Sequence, residues 1–221
     1  MASSSSDASS STTETPPLEG SAINKMFDTT GNAKEKTKCE ELVETAMRTC
    51  PKIKLMREAL QKLGVPEDAS VVQCAHCPEG VAVAGGYIPD QKKVVLCQQW
   101  VANATGEVEN TIIHEMVHAY DDRRAHFDWN DLTQHACSEI RAANLSGDCN
   151  FNRELNRGNV NPANVSGAGA RCVRRRAQIS VAMHPGCPDE ATAAKAVERA
   201  WSTCFFDRAP FDIYPRSAAE F

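Results

Sequence analysis

Nowhere does this chain of 221 residues approach the run of roughly 20 apolar residues that a membrane-spanning helix requires, so no helical span is expected. Its first 20 residues contain neither lysine nor arginine. With no basic leading segment and no apolar stretch behind it, this region is not expected to act as a secretory signal, and without basic residues it makes a poor matrix-targeting presequence. Ser, Thr and Pro dominate it, a composition that buries too little apolar surface to offset the entropy lost on ordering. Residues 1–33 are therefore expected to form a disordered tail, and 216–221 a second, short one. Positive charge is also scarce. A formal net charge of -5 argues against a nucleic-acid surface. The one basic run, Arg171, Arg174, Arg175 and Arg176, is too short to reverse that and is read as a solvated helix face. No internal repeat is evident.

What remains is enough for one domain. At 221 residues and 42% hydrophobic content, the chain can build one ordinary core with appendages, placed at residues 34–215. Ten cysteines, at 39, 50, 74, 77, 97, 137, 149, 172, 187 and 204, are spread across that span. An even, dispersed set points to a disulfide framework in an oxidising compartment, with pairings that sequence leaves open. Cys39 and Cys50 suit tethering a helix to a neighbour at both ends. The competing assignment is a structural zinc at Cys74-Ala-His-Cys77, completed by His76 and Cys97. One CxxC supplies only two thiolates, which makes that signal weak.

Residues 34–63 read as helical, with Pro51 breaking the run and Gly64 and Pro66 ending it. Short β-rich runs follow at 71–74, 81–88 and 93–97, with Pro89-Asp90 as a turn. They predict a small sheet in which the hairpin over 86–97 supplies an edge strand able to pair with an extended peptide. Val108, Ile112, Met116 and Tyr120, widened by Ile113 and Val117, form a helical stripe packed into a core, with Thr105 and Glu107 suited to its start and helical composition continuing to Asp128. Further helices are expected over 132–145, closed by Gly147, over 170–183 and over 189–205, with a loop across 156–169.

On the 108–128 helix stands His114-Glu115-Met116-Val117-His118. Histidines four residues apart lie one above the other, so both rings can face one metal ion. Glu115 sits about 100° round the helix, where its carboxylate reaches a metal-bound water without competing as a strong ligand. This is the arrangement of a hydrolytic zinc centre, with Glu115 as catalytic base. A surface helix bearing two chance histidines is the bland alternative, disfavoured by the apolar surroundings, where a charged triplet is costly unless a divalent cation compensates. One zinc ion normally takes three protein ligands and keeps one position open. A metzincin's third histidine would fall where Arg124 stands. His126, Asp128, His135 and Glu139 are the candidates, and Glu139 has the best spacing, on a helix that returns to the metal. His135 shares the Glu139 face and could hold it in place or donate to a developing oxyanion, while Asp128 serves as ligand, capping acid or outer-shell acid. The fold expected is α+β: a zincin-like metallopeptidase with a catalytic core over about 64–150, a small sheet beside the H-E-x-x-H helix, and disulfide-tethered helices over 170–205.

Two longer blocks carry a resemblance: 114–129, His-Glu-Met-Val-His-Ala-Tyr-Asp-Asp-Arg-Arg-Ala-His-Phe-Asp-Trp, and 135–149, His-Ala-Cys-Ser-Glu-Ile-Arg-Ala-Ala-Asn-Leu-Ser-Gly-Asp-Cys. With Cys204-Phe-Phe-Asp-Arg-Ala-Pro-Phe, they resemble the mitochondrial inner-membrane metalloprotease family that processes and helps assemble ATP synthase. The likeness runs from about Cys39 to Tyr214. It implies a zinc peptidase of the intermembrane space, soluble or peripheral to the inner membrane, whose cysteines are oxidised on import. It implies as partner a membrane-embedded ATP synthase subunit precursor, with removal of its N-terminal extension and a separate chaperone role in its assembly with the subunit c ring. The motif residues carried over are His114, Glu115 and His118. A non-proteolytic assembly factor is the alternative function, and a disulfide-stapled scaffold with a vestigial metal site a third; the intact triplet favours catalysis.

Overall fold

Asn32 opens the first helix by accepting from the Lys34 N–H at 3.1 Å, a side-chain cap on a donor that the helix itself leaves unpaired. The structure is a computed structural model that describes residues 32–212 except 67–70, 79–82, 104–106 and 162–163. The expected tails lie outside the described residues, apart from Asn32 and Ala33, which belong to this first helix rather than to a tail. Helix α1 (Ala33–Thr49) stops where expected. Pro51 cannot extend it, but its fixed φ suits a new first turn, and α2 (Pro51–Lys62) begins there.

Three strands follow: β1 (Val72–Ala75), β2 (Gly85–Ile88) and β3 (Lys93–Cys97). Their order is β1-β3-β2, with β1 parallel and β2 antiparallel to β3. The expected hairpin is present, but its two strands differ in role. β3 is the central strand and is largely buried, so only β2 offers an edge. A Cβ at Gly85 would lie 2.9 Å from both Leu96 Cδ2 and Val95 O and 3.2 Å from Thr111 Cγ2, so only glycine allows β2 to lie this close to its neighbours.

A short helix, α3 (Gln98–Val101), leads to α4 (Val108–Arg124), which carries the motif. Its stripe is buried as periodicity requires: Val108, Ile112, Ile113, Met116 and Val117 are all inside. α4 ends at Arg124 rather than Asp128, because Ala125 is extended. Asp131 then caps α5 (Leu132–Leu145), accepting from the Thr133 and Gln134 N–H groups at 2.7 and 3.2 Å. A further short helix, α6 (Phe151–Asn156), precedes α7 (Ala168–Ala182) and α8 (Glu190–Cys204).

The apolar interior falls into two main clusters. One gathers α1, α2, the sheet and α4; the other gathers α5, α7 and α8. α5 serves both, giving Ala142 and Leu145 to the first and Ala136, Ile140 and Ala143 to the second. The fold is thus mixed α+β, mostly helical with one small sheet. Among the described residues no helix is long and apolar enough to cross a membrane.

Eight cysteines form four disulfides, Cys39–Cys74, Cys77–Cys97, Cys137–Cys204 and Cys149–Cys172. The first ties α1 to β1 and the third ties α5 to α8. Two expectations are corrected. Cys50 is a buried free thiol, so α1 is tethered at Cys39 alone. The Cys74, Cys77 and Cys97 sulfurs are consumed by disulfides, which removes the structural-zinc alternative.

Because a cross-link removes more chain entropy when it closes a longer loop, Cys137–Cys204, spanning 67 residues, is expected to stabilise more than Cys77–Cys97, spanning 20. Paired Cys→Ser replacement should lower unfolding free energy by about 4 kcal/mol for the first and about 3 kcal/mol for the second in urea titrations.

Candidate metal centre

α4 and α5 meet where the motif faces Glu139. The His114 and His118 rings lie edge to face, their centroids 5.0 Å apart. His114 Nε2 is 3.6 Å from Glu139 Oε2, and His118 Nε2 is 3.5 Å from Glu139 Oε1. One nitrogen from each ring and one carboxylate oxygen all lie within 4.8 Å of one another, a group of donors that could hold a metal ion. Two imidazoles and a carboxylate are the donor set of a borderline divalent cation that keeps a fourth position open. Glu115 is buried beside them and accepts a hydrogen bond from the Tyr87 backbone N–H on β2.

The donors are aimed by groups behind them. His118 Nδ1 lies 2.7 Å from Ser138 Oγ, whose hydroxyl donates to Asp121 Oδ2 at 3.0 Å. With the serine proton committed to Asp121, Ser138 Oγ accepts from His118 Nδ1–H, leaving the Nε2 lone pair towards Glu139. Asp121 in turn takes Arg141 Nε at 3.0 Å and Arg124 Nε at 3.0 Å. The fully buried Arg141 also donates from Nη1 to the Asp207 carbonyl at 2.8 Å and from Nη2 to the Ala209 carbonyl, binding the chain after α8 to this layer. On the other flank His114 Nδ1 is 3.2 Å from Asp148 Oδ2, close enough for charge pairing though poorly aligned for a hydrogen bond.

Asp148 is held by Arg176 at 3.0 Å and Arg153 at 3.4 Å. Arg175 pairs with Glu154 at 2.8 Å, Arg174 with Glu198, and Arg171 donates to the carbonyls of Asn164 and Ser166. The basic run is therefore not a free solvated face. Each guanidinium is tied back to the protein, and Arg176 reaches the site.

The pocket treats its two histidines oppositely. Burial opposes positive charge at His114, but the carboxylates of Asp148 and Glu139 outweigh that and raise its pKa to about 10. At His118 burial, joined by the charges of His114, His135 and Arg141, outweighs the pull of Glu139 and lowers the pKa to about 3. Burial pushes Glu115 up to about 7. At Glu139 burial likewise pushes upward, yet the adjoining His118, His114 and His135 hold it well below its usual value.

Of the other candidates, His135 stands in the site, its Nε2 3.3 Å from Glu139 Oε1. Asp128 is exposed and away from the donors, its carboxylate accepting from the Asn130 N–H at 2.9 Å. It is a turn cap here, as chain reversal between α4 and α5 demands. His126 is exposed. Ser138, Asp121, Arg141 and Asp148 are site residues that no motif in the sequence announces. Asp121 lies three residues beyond His118 on the same helix face, and Ser138 and Arg141 flank Glu139, so spacing offered a signal for those three. Nothing local marked Asp148.

All of this floors a cleft of about 590 Å³, walled on one side by Gly85, Gly86 and Tyr87 of β2 and on the other by Ile179, Met183 and His184. A helix-borne pair of histidines, a glutamate between them and a strand edge beside a cleft make up the equipment of a peptidase. Comparison with known proteins says the same. Residues 37–212 match the Peptidase M76 family, and the chain belongs to that family. It is 38% identical over 178 residues to the mitochondrial inner membrane protease ATP23 of Yarrowia lipolytica, covering 80% of this chain and 69% of that one. Against the protein of the same name from Schizosaccharomyces pombe it is 38% identical over 180 residues, covering 81% and 94% respectively. The Saccharomyces cerevisiae S288c counterpart is 38% identical over 184 residues, covering 81% and 79%. No solved structure matches the chain.

Removing one partner of a buried ion pair strands the other, so Arg141→Met should cost about 3–5 kcal/mol in chemical denaturation. Asp207 gives the pH dependence. Burial would raise it, but the Arg124 hydrogen bond and the Arg141 charge hold it below its ordinary 3.8. Its stabilising contribution is thus complete above that value and is lost as pH falls through the lower, folded-state value. Asp207→Asn should make the acid-side fall in melting temperature shallower.

Proposed function

We propose that the chain is a zinc-dependent endopeptidase of zincin-like build that works in the mitochondrial intermembrane space, peripheral to the inner membrane. Its substrate in this reading is the precursor of a membrane-embedded ATP synthase subunit, whose assembly it also assists. The observation that carries the reading is the convergence of His114, His118 and Glu139 donor atoms within 4.8 Å, with the Glu115 carboxylate buried beside them. Membership of a peptidase family supports it, and so do the names of the relatives, which give the organelle and the membrane. Disulfides agree with an oxidising compartment.

His114, His118 and Glu139 would hold the ion, with Ser138 fixing the His118 ring and the Asp148 charge set beside His114. Bound zinc supplies Lewis acidity, lowering the pKa of water towards neutrality and polarising a carbonyl. Glu115, its pKa raised to about 7 by burial, is suited to take a proton from the attacking water and to return it to the leaving amine. His135, against Glu139, restrains that carboxylate and presents its ring to the cleft. The outer edge of β2 gives an extended substrate backbone a strand to pair with. A purely non-proteolytic chaperone has less support, because every part of the triplet and its supporting shell is intact.

Glu115→Gln should keep the fold and bound zinc while cleavage of the precursor falls by about a hundredfold or more, read by metal analysis and gel assay of purified protein. Unchanged cleavage would remove Glu115 as the base. Introduced into cells lacking the protein, the same variant separates assembly from proteolysis: restored ATP synthase would assign assembly to a role that needs no catalysis. Ser138→Ala should weaken zinc binding by about 10–100-fold in chelator competition, with circular dichroism unchanged.

A further inference from the structure

The catalytic cleft opens sideways into a smaller pocket of about 170 Å³. The two share Val83, Ala84, Glu107 and Thr111, so the pocket is a continuation of the cleft rather than a separate cavity. Among the described residues Trp100, Val101 and Val108 also line it. Among the described lining residues, Thr111 and Glu107 already have partners. Thr111 Oγ1 donates to the Glu107 carbonyl at 3.0 Å, and the Glu107 carboxylate meets Arg153 at 3.3 Å. The threonine methyl faces β2, 3.2 Å from where a Cβ on Gly85 would stand. The rest of the described lining is predominantly apolar.

Its position relative to the scissile bond follows from the helix. Thr111 and Val108 precede His114 by three and six residues, about 4.5 and 9 Å along the axis at 1.5 Å per residue. At about 3.3 Å per residue of extended chain, that is one to three peptide residues from the reacting carbonyl. The strand supplies the alignment. Cys97 N–H donates to the Ala84 carbonyl at 2.9 Å, so Ala84, Gly86 and Ile88 turn their backbone groups to β3. Gly85 and Tyr87 then face the outer edge, and since the Tyr87 N–H serves Glu115, the Gly85 N–H and carbonyl and the Tyr87 carbonyl are left to register a peptide.

We propose that this pocket is a specificity subsite that takes one bulky apolar side chain, of the Val, Leu, Ile or Phe class, from a substrate residue within about three positions of the scissile bond. The inference rests on the peptidase reading above and adds the substrate class. The Glu107 carboxylate is half exposed and turned to Arg153, so the apolar wall is what a side chain entering the pocket meets, and an amide or hydroxyl there would lose its water without replacement.

The test uses purified full-length protein loaded with zinc and a peptide library randomised around the cleavage site, with products read by mass spectrometry. Val, Leu, Ile or Phe should be enriched at one position within three of the cut. A peptide pair differing there as Leu against Asn should differ by about tenfold or more in kcat/KM. Ala84→Phe, at an exposed position on the pocket mouth, should shrink that ratio about tenfold, mainly through KM. Trp100→Ala, which opens the outer wall, should shift preference towards larger side chains, and it keeps the inference testable if Ala84→Phe does not fold. Cleavage with no apolar preference at those positions, or with a preference that neither variant alters, overturns the subsite while leaving the peptidase reading intact. Failure of the native protein to cleave any peptide or precursor beyond the Glu115→Gln background sinks both.

Discussion

The buried charge pair between Asp121 and Arg141 is what the site depends on. It joins α4 to α5 at the level of the motif, and no solvent reaches the arginine. An isolated charge in such a place would be untenable, so each partner requires the other. From Asp121 the constraint passes through Ser138 to the His118 ring, fixing which nitrogen carries the proton. From Arg141 it passes to Asp207 and Ala209, anchoring the chain beyond α8. One salt bridge therefore sets the helix spacing, the ring orientation and the course of a distant segment.

Surrounding it, α5 acts as a shared wall. Its small residues let it approach α4 on one face and α7 and α8 on another, and Glu139 projects from the helix that both cores hold. A carboxylate on such an element has little freedom to drift, which is what a donor meeting two histidines from another helix requires. The β2 edge is positioned in the same economical way. Tyr87 hydroxyl donates to Asp122 at 2.6 Å and Trp129 Nε1 to the same carboxylate at 3.1 Å, so the strand beside the cleft is braced by the last turns of α4.

Much of this was readable in the chain, for definite reasons. The His114 and His118 pair, the buried stripe of α4, the break at Pro51 and the β-rich runs are local patterns, set by periodicity or by the chemistry of one residue. Glu139 was reachable because a helix that must bury a face against α4 returns a carboxylate at a calculable place. What was not legible depends on long-range partners. Nothing near Cys50 distinguishes its free thiol from the paired Cys39. The four arginines of α7 look like a solvated run until Asp148, Glu154 and Glu198 are brought opposite them. Asp128 has a ligand's chemistry, but the turn from α4 to α5 needs a cap and uses it.

The layout of the disulfides has an asymmetry. Two lie within residues 39–97 and two within 137–204, and none bridges the groups. Oxidation thus fastens each half internally and leaves the seam between α4 and α5 to packing and charge. An ion gripped by His114, His118 and Glu139 would supply the fastening that the thiols do not, one undone by a chelator and indifferent to reductants.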